Sequence, residues 1–172
     1  MIRLLAGVVI LFGCGYMGIL FSHRFKKRVK QLEELQRAMT ELEYNIDFVT
    51  MTIADALNSV SKNCETEVKY VFLYVAERLK TSPGSDMSRI WRRAVDKYRQ
   101  ALVLSDSDIS LLIEFSKNLG MGNREKEKNN IKFTAVRLKI AEDEARAEME
   151  QNSKMCRGLG FLLGIFIVIV LA

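Results

Sequence analysis

Two apolar stretches, one at each end of the chain, limit its possible folds more than any other feature. Ile2 to Phe21 is apolar apart from Arg3 and holds no acid, and Gly158 to Ala172 carries no charged side chain. The first run is about twenty residues, enough for a helix to cross roughly 30 Å of hydrocarbon. A helix is required there because lipid offers the backbone no hydrogen-bonding partner. A cleaved signal peptide would carry basic residues before its apolar stretch and a small-residue site after it. Here only Arg3 precedes, and Phe21-Ser22-His23-Arg24-Phe25 follows, so an uncleaved anchor is expected. The last run is about fifteen residues, or ~22 Å of helix, shorter than the hydrocarbon layer. Met155 and Cys156 extend it, and Lys154 and Arg157 reach toward the headgroups. A core helix of a soluble domain is the competing reading for so short a run.

Basic residues set the orientation of such spans. Arg24, Lys26, Lys27, Arg28 and Lys30 follow the first run, and Lys154 and Arg157 precede the second. Both clusters flank the middle of the chain, which is therefore expected in the cytoplasm with both termini beyond the membrane. The expected division is residues 1–21 as one transmembrane helix, 22–157 as a cytoplasmic helical domain, and 158–172 as a second transmembrane helix.

At 172 residues there is room for one domain besides the two spans. The net charge of +5 could indicate nucleic acid. Much of the excess, however, sits beside the first span, where anionic lipid attracts it at about 1 kcal/mol per basic side chain. No nucleic-acid partner is expected. Cys14, Cys64 and Cys156 show no pairing pattern, and free thiols are the default in the cytoplasm. A single proline, Pro83, fits an all-helical protein with one sharp connection.

The middle reads as helices throughout. Phe25, Leu32, Leu35, Met39, Leu42, Ile46 and Val49 form a seam that alternates three and four from Leu32, with Glu33, Glu34, Arg37, Glu41 and Glu43 on the other face. Thr52-Ile53-Ala54-Asp55 has the form of a capping box opening a second helix, about Ile53 to Ser61. A third covers about Glu65 to Lys80, with Val68, Val71, Phe72, Val75 and Leu79 on one stripe, and ends at Thr81-Ser82-Pro83-Gly84-Ser85. A fourth is expected from about Met87 to Leu104, burying Trp91, Ala94, Val95, Tyr98 and Leu102. Ser105 to Asp108 offers caps for a fifth, which ends at Leu119 with Gly120 placed to terminate it.

Asn123 caps the last helix, unbroken from about Arg124 into the second span. One of its stripes is Ile131, Ala135, Leu138, Ala145 and Met149, and another is Phe133, Val136 and Ile140, which predicts contacts on two sides. The first and last helices leave the same membrane face, so they are expected to pair as an antiparallel stalk. At about thirty residues per helix such a stalk reaches ~45 Å, with the short helices bundled at its far end. The acids near the end of the last helix read as a solvated face. Glu142 falls on the buried stripe and is a candidate partner for Arg28 or Lys30.

Little points to chemistry. Gly120-Met121-Gly122 lacks the Gly-Lys-Ser/Thr of a phosphate-binding loop, and a helix-ending turn explains it. His23 is the one histidine, and no triad or metal cluster assembles around it. No cofactor or metal is expected. Gly160 and Gly164, with Gly15 and Gly18 in the first run, have the small-residue spacing that lets membrane helices approach, either each other or a second copy.

The second half resembles the stage III sporulation protein AB family of endospore-forming bacteria. The resemblance rests on Leu111-Leu112-Ile113-Glu114-Phe115-Ser116-Lys117-Asn118-Leu119-Gly120, on Asn123-Arg124 and Ile131-Lys132, on Leu138, Glu142 and Glu144, and on the stretch from Lys154 through Gly164. The first half matches in its anchor and in Leu42-Glu43-Tyr44-Asn45-Ile46, so the similarity covers the whole chain, although no one motif in it is strongly specific. Thr52 stands where the family often has proline, and Asn123 where it often has aspartate; both keep a capping side chain. The family is similar to the cytoplasmic domain of the F-type platform proteins of type II secretion and type IV pilus machines.

The resemblance implies a place in the channel complex between mother cell and forespore, in the mother-cell inner membrane, alongside other channel-complex membrane proteins. It further implies a secretion-type ATPase partner, stage III sporulation protein AA, which would hold the nucleotide chemistry. The candidate docking face for it is the fourth helix, with Arg89, Arg92, Arg93, Lys97 and Arg99. Arg89, Arg93 and Lys97 are spaced by four, where like charges repel, so this face is expected either to meet an acidic partner or to be merely solvated. The expected function is a non-enzymatic platform. The alternatives are a coiled-coil scaffold with no motor, such as a division or morphology protein, a membrane-anchored enzyme, and a signalling hairpin.

Overall fold

The computed structural model describes the backbone of residues 2–47, 49, 51–82, 84–120 and 123–171, and side chains from residue 23 to residue 152 within those ranges. Among the described residues there are six helices and no strand: α1 (Ile2–Asp47), α2 (Ile53–Asn63), α3 (Val68–Thr81), α4 (Met87–Tyr98), α5 (Asp106–Lys117) and α6 (Arg124–Leu171). The all-helical expectation holds. The two expected spans fall on side chains outside the described residues; among the described residues no helix is long and apolar enough to cross a membrane.

The chain divides into two compact units, residues 1–27 with 144–172, and residues 28–143. In the first, Arg24 and Lys26 are exposed, Phe25 is half-buried and Ala145 is buried.

The second unit is built on the α1 segment from Arg28 to Asp47. Leu32, Leu35, Met39, Leu42 and Ile46 are all buried, as their seam predicts, and Val29 and Ala38 widen the buried stripe. Val49 is exposed, beyond the end of the helix. Against this segment α6 runs antiparallel: Gln36 donates to Glu142 at 2.7 Å, Lys132 lies 3.6 Å from Glu43, and Lys128 pairs with Asp47. From α6, Ile131 and Leu138 enter the core. The second α6 stripe is left open, with Phe133, Val136 and Ile140 each more than half exposed.

The remaining helices pack in sequence, α2 on α3, α3 on α4 and α4 on α5. Their centre is an aromatic stack in which Trp91 meets Phe72 and Phe115 edge-on, each at 5.6 Å. Edge-to-face pairs of this kind add about 0.5–1.5 kcal/mol each beyond their buried area. The Trp91 indole N–H has no partner.

Caps fix the short helices. Thr52 accepts from the Asp55 amide to open α2, and Ser105 and Asp108 form a reciprocal capping box on α5. Gly120 ends the α5 region at φ +84°, a conformation costly for any residue with a Cβ. In contrast, the side chain of Glu67 at the start of α3 makes no cap, and only the Thr66 hydroxyl, among the described residues of this turn, accepts from the Val68 amide, at 3.3 Å. The buried Glu34 carboxylate of α1 serves instead, accepting from the amides of Glu65 and Thr66 and from the Thr66 hydroxyl. Glu34, expected on the solvated face, is thus a cap supplied from another helix.

The expected stalk with a distal bundle is not how this unit is built. Arg28, Lys30 and Gln31 already bond to α5, to the turn before α3 and to the α4–α5 connection. The short helices therefore line α1 from Arg28 onward. Helix α4 also stops at Tyr98 rather than near Leu104. Residues 99–101 form a turn, and the irregular stretch after it buries Leu102 and Leu104; this connection presents the Ala101 carbonyl and Val103 amide to the fully buried Gln31.

Candidate partner-docking surface

The amphipathic pattern of α4 dictates its outer face. Ile90, Trp91, Ala94 and Val95 are buried against α3 and α5, so Arg89, Arg92, Arg93 and Lys97 must point outward. At 3.6 residues per turn, Arg89, Arg93 and Lys97 lie along one flank and Arg92 on the other. Among the described residues Arg89, Arg92 and Arg93 form no ion pair. Asp96 shares the outer face, but the face remains strongly cationic.

The expected set changes at one end. Arg99 lies past the end of α4 and bonds to Asp106 at 2.8 Å and to the Leu104 carbonyl at 3.2 Å, so it braces the α4–α5 connection and is not part of the cationic face. Lys97 sits over two rings, 5.0 Å from Tyr74 and 5.3 Å from Tyr98. Tyr98 stacks on Tyr70 at 5.5 Å. Tyr70 and Tyr74, unremarked in the sequence pattern, and Tyr98, expected in the buried stripe but only half-buried, carry the cationic face across to α3. Arg78 joins them, 5.4 Å above Tyr74. Its signal was only its place near the end of α3, where a cation favours the helix dipole.

Arg78, Arg89 and Arg93, with Tyr74 and Asp86, line an open cavity of about 380 Å³. The Asp86 carboxylate is engaged as the cap of α4, accepting from the Ser88 amide at 3.0 Å.

The expected membrane-surface cations divide. Arg24 and Lys26 are exposed. Lys30 pairs with Glu65 at 3.1 Å, and the Lys30 ammonium holds the Glu65 carboxyl below its ordinary range. Arg28 belongs to the core instead. Its guanidinium grips the buried Asp108 with Nε–Oδ2 3.0 Å and Nη2–Oδ1 3.3 Å, and also reaches the Ser105 hydroxyl. Burial of Asp108 within the α5 capping box is the physical reason, because a buried carboxylate needs a counter-charge. Glu142 accepts from Gln36 at 2.7 Å and from Lys139 at 3.0 Å. Lys27 is half-buried, and the side chains of Lys154, Arg157, Gly160 and Gly164 lie outside the described residues.

Among the described residues no group of three metal-capable side chains comes together. The Cys64 thiol is pushed up to about 12, first by burial and then by the Glu34 and Glu41 carboxylates.

Comparison with known proteins agrees with this architecture. The chain is 26% identical over 172 residues to stage III sporulation protein AB of Bacillus subtilis (strain 168), covering 99% of each. A solved structure of stage III sporulation protein AB (SpoIIIAB) superposes with a TM-score of 0.66 at 22% identity, covering 72% of this chain and 97% of that one, and shows the same fold. The model of the family described as stage III sporulation protein AB matches residues 3–172, and the chain belongs to that family.

Proposed function

We propose that the chain is a non-enzymatic platform of the sporulation mother cell–forespore channel complex, which docks a secretion-type ATPase and orients it at the inner membrane. A sporulation role comes with membership of the family. The finer reading rests on one observation, the outward row of Arg89, Arg92 and Arg93 with no ion pair on a helix pinned by the Phe72–Trp91–Phe115 stack. A cationic face on a helix held rigidly has little backbone freedom left to lose on binding, which favours recognition of an acidic partner. The apolar runs at residues 2–21 and 158–172 would anchor the platform, with Arg24, Lys26, Lys154 and Arg157 against anionic lipid, and Gly160 and Gly164 packing one span on the other or on a second copy.

The test is co-purification of the full chain with stage III sporulation protein AA, with and without ATP. Reversal of Arg89, Arg93 and Lys97 together to Glu is expected to abolish it. Undiminished co-purification of that variant would remove this face as the dock. A second reading, a membrane-anchored scaffold with no motor, is favoured by the exposed Phe133, Val136 and Ile140 stripe, a natural seat for another helix. Failure of the wild-type chain to co-purify with the ATPase would select it.

A further inference from the structure

We propose that the cavity between α3 and α4 is a carboxylate-binding site for an acidic segment of the docking partner. Which partner supplies the segment rests on the reading above; the carboxylate chemistry does not.

Three guanidinium groups from two helices line this one cavity: Arg78 near the end of α3, and Arg89 and Arg93 on α4. The only acid lining it is Asp86, already occupied by the Ser88 amide. Several cations elsewhere are paired: Arg28 with Asp108, Lys80 with Asp55, Arg99 with Asp106, Lys128 with Asp47 and Arg137 with Glu114. Among the described residues Arg78, Arg89 and Arg93 have no such partner. Three guanidinium groups against the single Asp86 carboxylate leave the cavity net positive, which raises the energy of the free protein, and an arriving anion relieves it.

The residue type narrows the anion. A guanidinium offers two parallel N–H donors that match the two oxygens of a carboxylate. Tyr74, stacked beneath Arg78, limits where that fork can point. The volume of about 380 Å³ falls at the small end of the range for ligand sites, ~300–1,000 Å³. That suits one or two acidic side chains on an extended segment.

A nucleic-acid strand fits less well. Sequence-tolerant strand binding uses open aromatic faces on which bases stack. Here Tyr70 and Tyr98 are stacked on each other, Lys97 lies over Tyr74 and Tyr98, and Lys69 lies over Tyr70.

The test uses the full chain in a neutral detergent and fluorescence anisotropy of a fluorescein-labelled hexaglutamate peptide. The double variant Arg78→Gln/Arg93→Gln is expected to bind about tenfold or more weakly, since two charge-assisted hydrogen-bonding groups are lost. A control of equal charge outside the cavity and outside the cationic face of α4, Lys62→Gln/Lys126→Gln, is expected to change affinity less than about twofold. Equal weakening by both pairs would mean a diffuse field and overturn the site. Hexathymidylate binding as tightly as hexaglutamate would overturn the carboxylate assignment. Co-purification with the ATPase, measured on the same variants, separates the two readings. Lost peptide binding with intact co-purification leaves the carboxylate site standing and removes the ATPase from it. Peptide affinity unchanged in Arg78→Gln/Arg93→Gln removes the site, whatever the ATPase does.

Discussion

Replacing Arg28 by Met tests whether this residue belongs to the core or to the membrane surface. Its side chain is 14% exposed and that of Asp108 1% exposed. Removing one partner of a buried ion pair typically costs 3–5 kcal/mol, because the other charge is left without compensation. Asp108 would still accept from the Ser105 amide at 2.8 Å, which places the expected loss near the lower end, about 3 kcal/mol. Against a domain stability of roughly 5–15 kcal/mol that is a large fraction. With a urea slope of about 1.5 kcal/mol per molar, the midpoint should fall by about 2 M. Trp91 is the natural reporter, as the single tryptophan and fully buried. The double variant Arg28→Met/Asp108→Asn should be more stable than Arg28→Met alone, because the stranded charge is gone, with a coupling energy of about 1–3 kcal/mol. An exposed pair is worth at most about 1 kcal/mol. If Arg28→Met costs less than about 0.5 kcal/mol, with no coupling to Asp108, the pair is solvated and the core assignment is wrong.

Two further outcomes follow from the same geometry. Glu34→Ala removes the carboxylate that holds the Glu65 and Thr66 amides ahead of α3 and should cost about 2–3 kcal/mol; amide hydrogen exchange should rise first over residues 65–72, and a uniform rise across the chain would refute the capping role. With its thiol pushed up to about 12 from an ordinary 9.0, Cys64 should be alkylated by iodoacetamide at pH 8 about 10³-fold more slowly in the native protein than in urea, because the thiolate is the reacting species. Peptide mapping of the alkylated chain reads this directly, and equal native and denatured rates would contradict the buried environment.

What the sequence pattern reveals here is what depends on near neighbours. The Leu32–Ile46 seam, the stripes of α3 and α4, the caps at Thr52 and Ser105 and the stop at Gly120 each involve residues within a turn or two, so spacing alone exposes them. What it hides are polar groups with distant partners. Glu34 reads as part of the outer face and Gln31 carries no signal at all, yet they are buried and bond to the segments around Glu65–Thr66 and Ala101–Val103. Arg28 reads as one more basic residue in a juxtamembrane run because Asp108 is 80 positions away. Nothing local marks the end of α4 at Tyr98; the alternation of Leu102 and Leu104 was the available signal, overridden by an otherwise helical period. The α6 stripe of Phe133, Val136 and Ile140 was visible, but periodicity identifies an apolar face without saying what covers it. The docking surface was legible in the same limited way, since spacing by four gathers Arg89, Arg93 and Lys97. The contribution of Arg78 and the cavity depends on how α3 meets α4.

The bonds that α1 makes to partners far along the chain bear on how the protein acquires its structure. Pairings such as Arg28 with Asp108, Gln36 with Glu142 and Asp47 with Lys128 span 80 to 106 positions. Closing loops of that length slows folding beyond what is usual for helical proteins, whose contacts are mostly local. On the ribosome, the first helix emerges well before α6 supplies Ile131 and Leu138, so its apolar flank has to wait, uncovered, for most of the chain to be made.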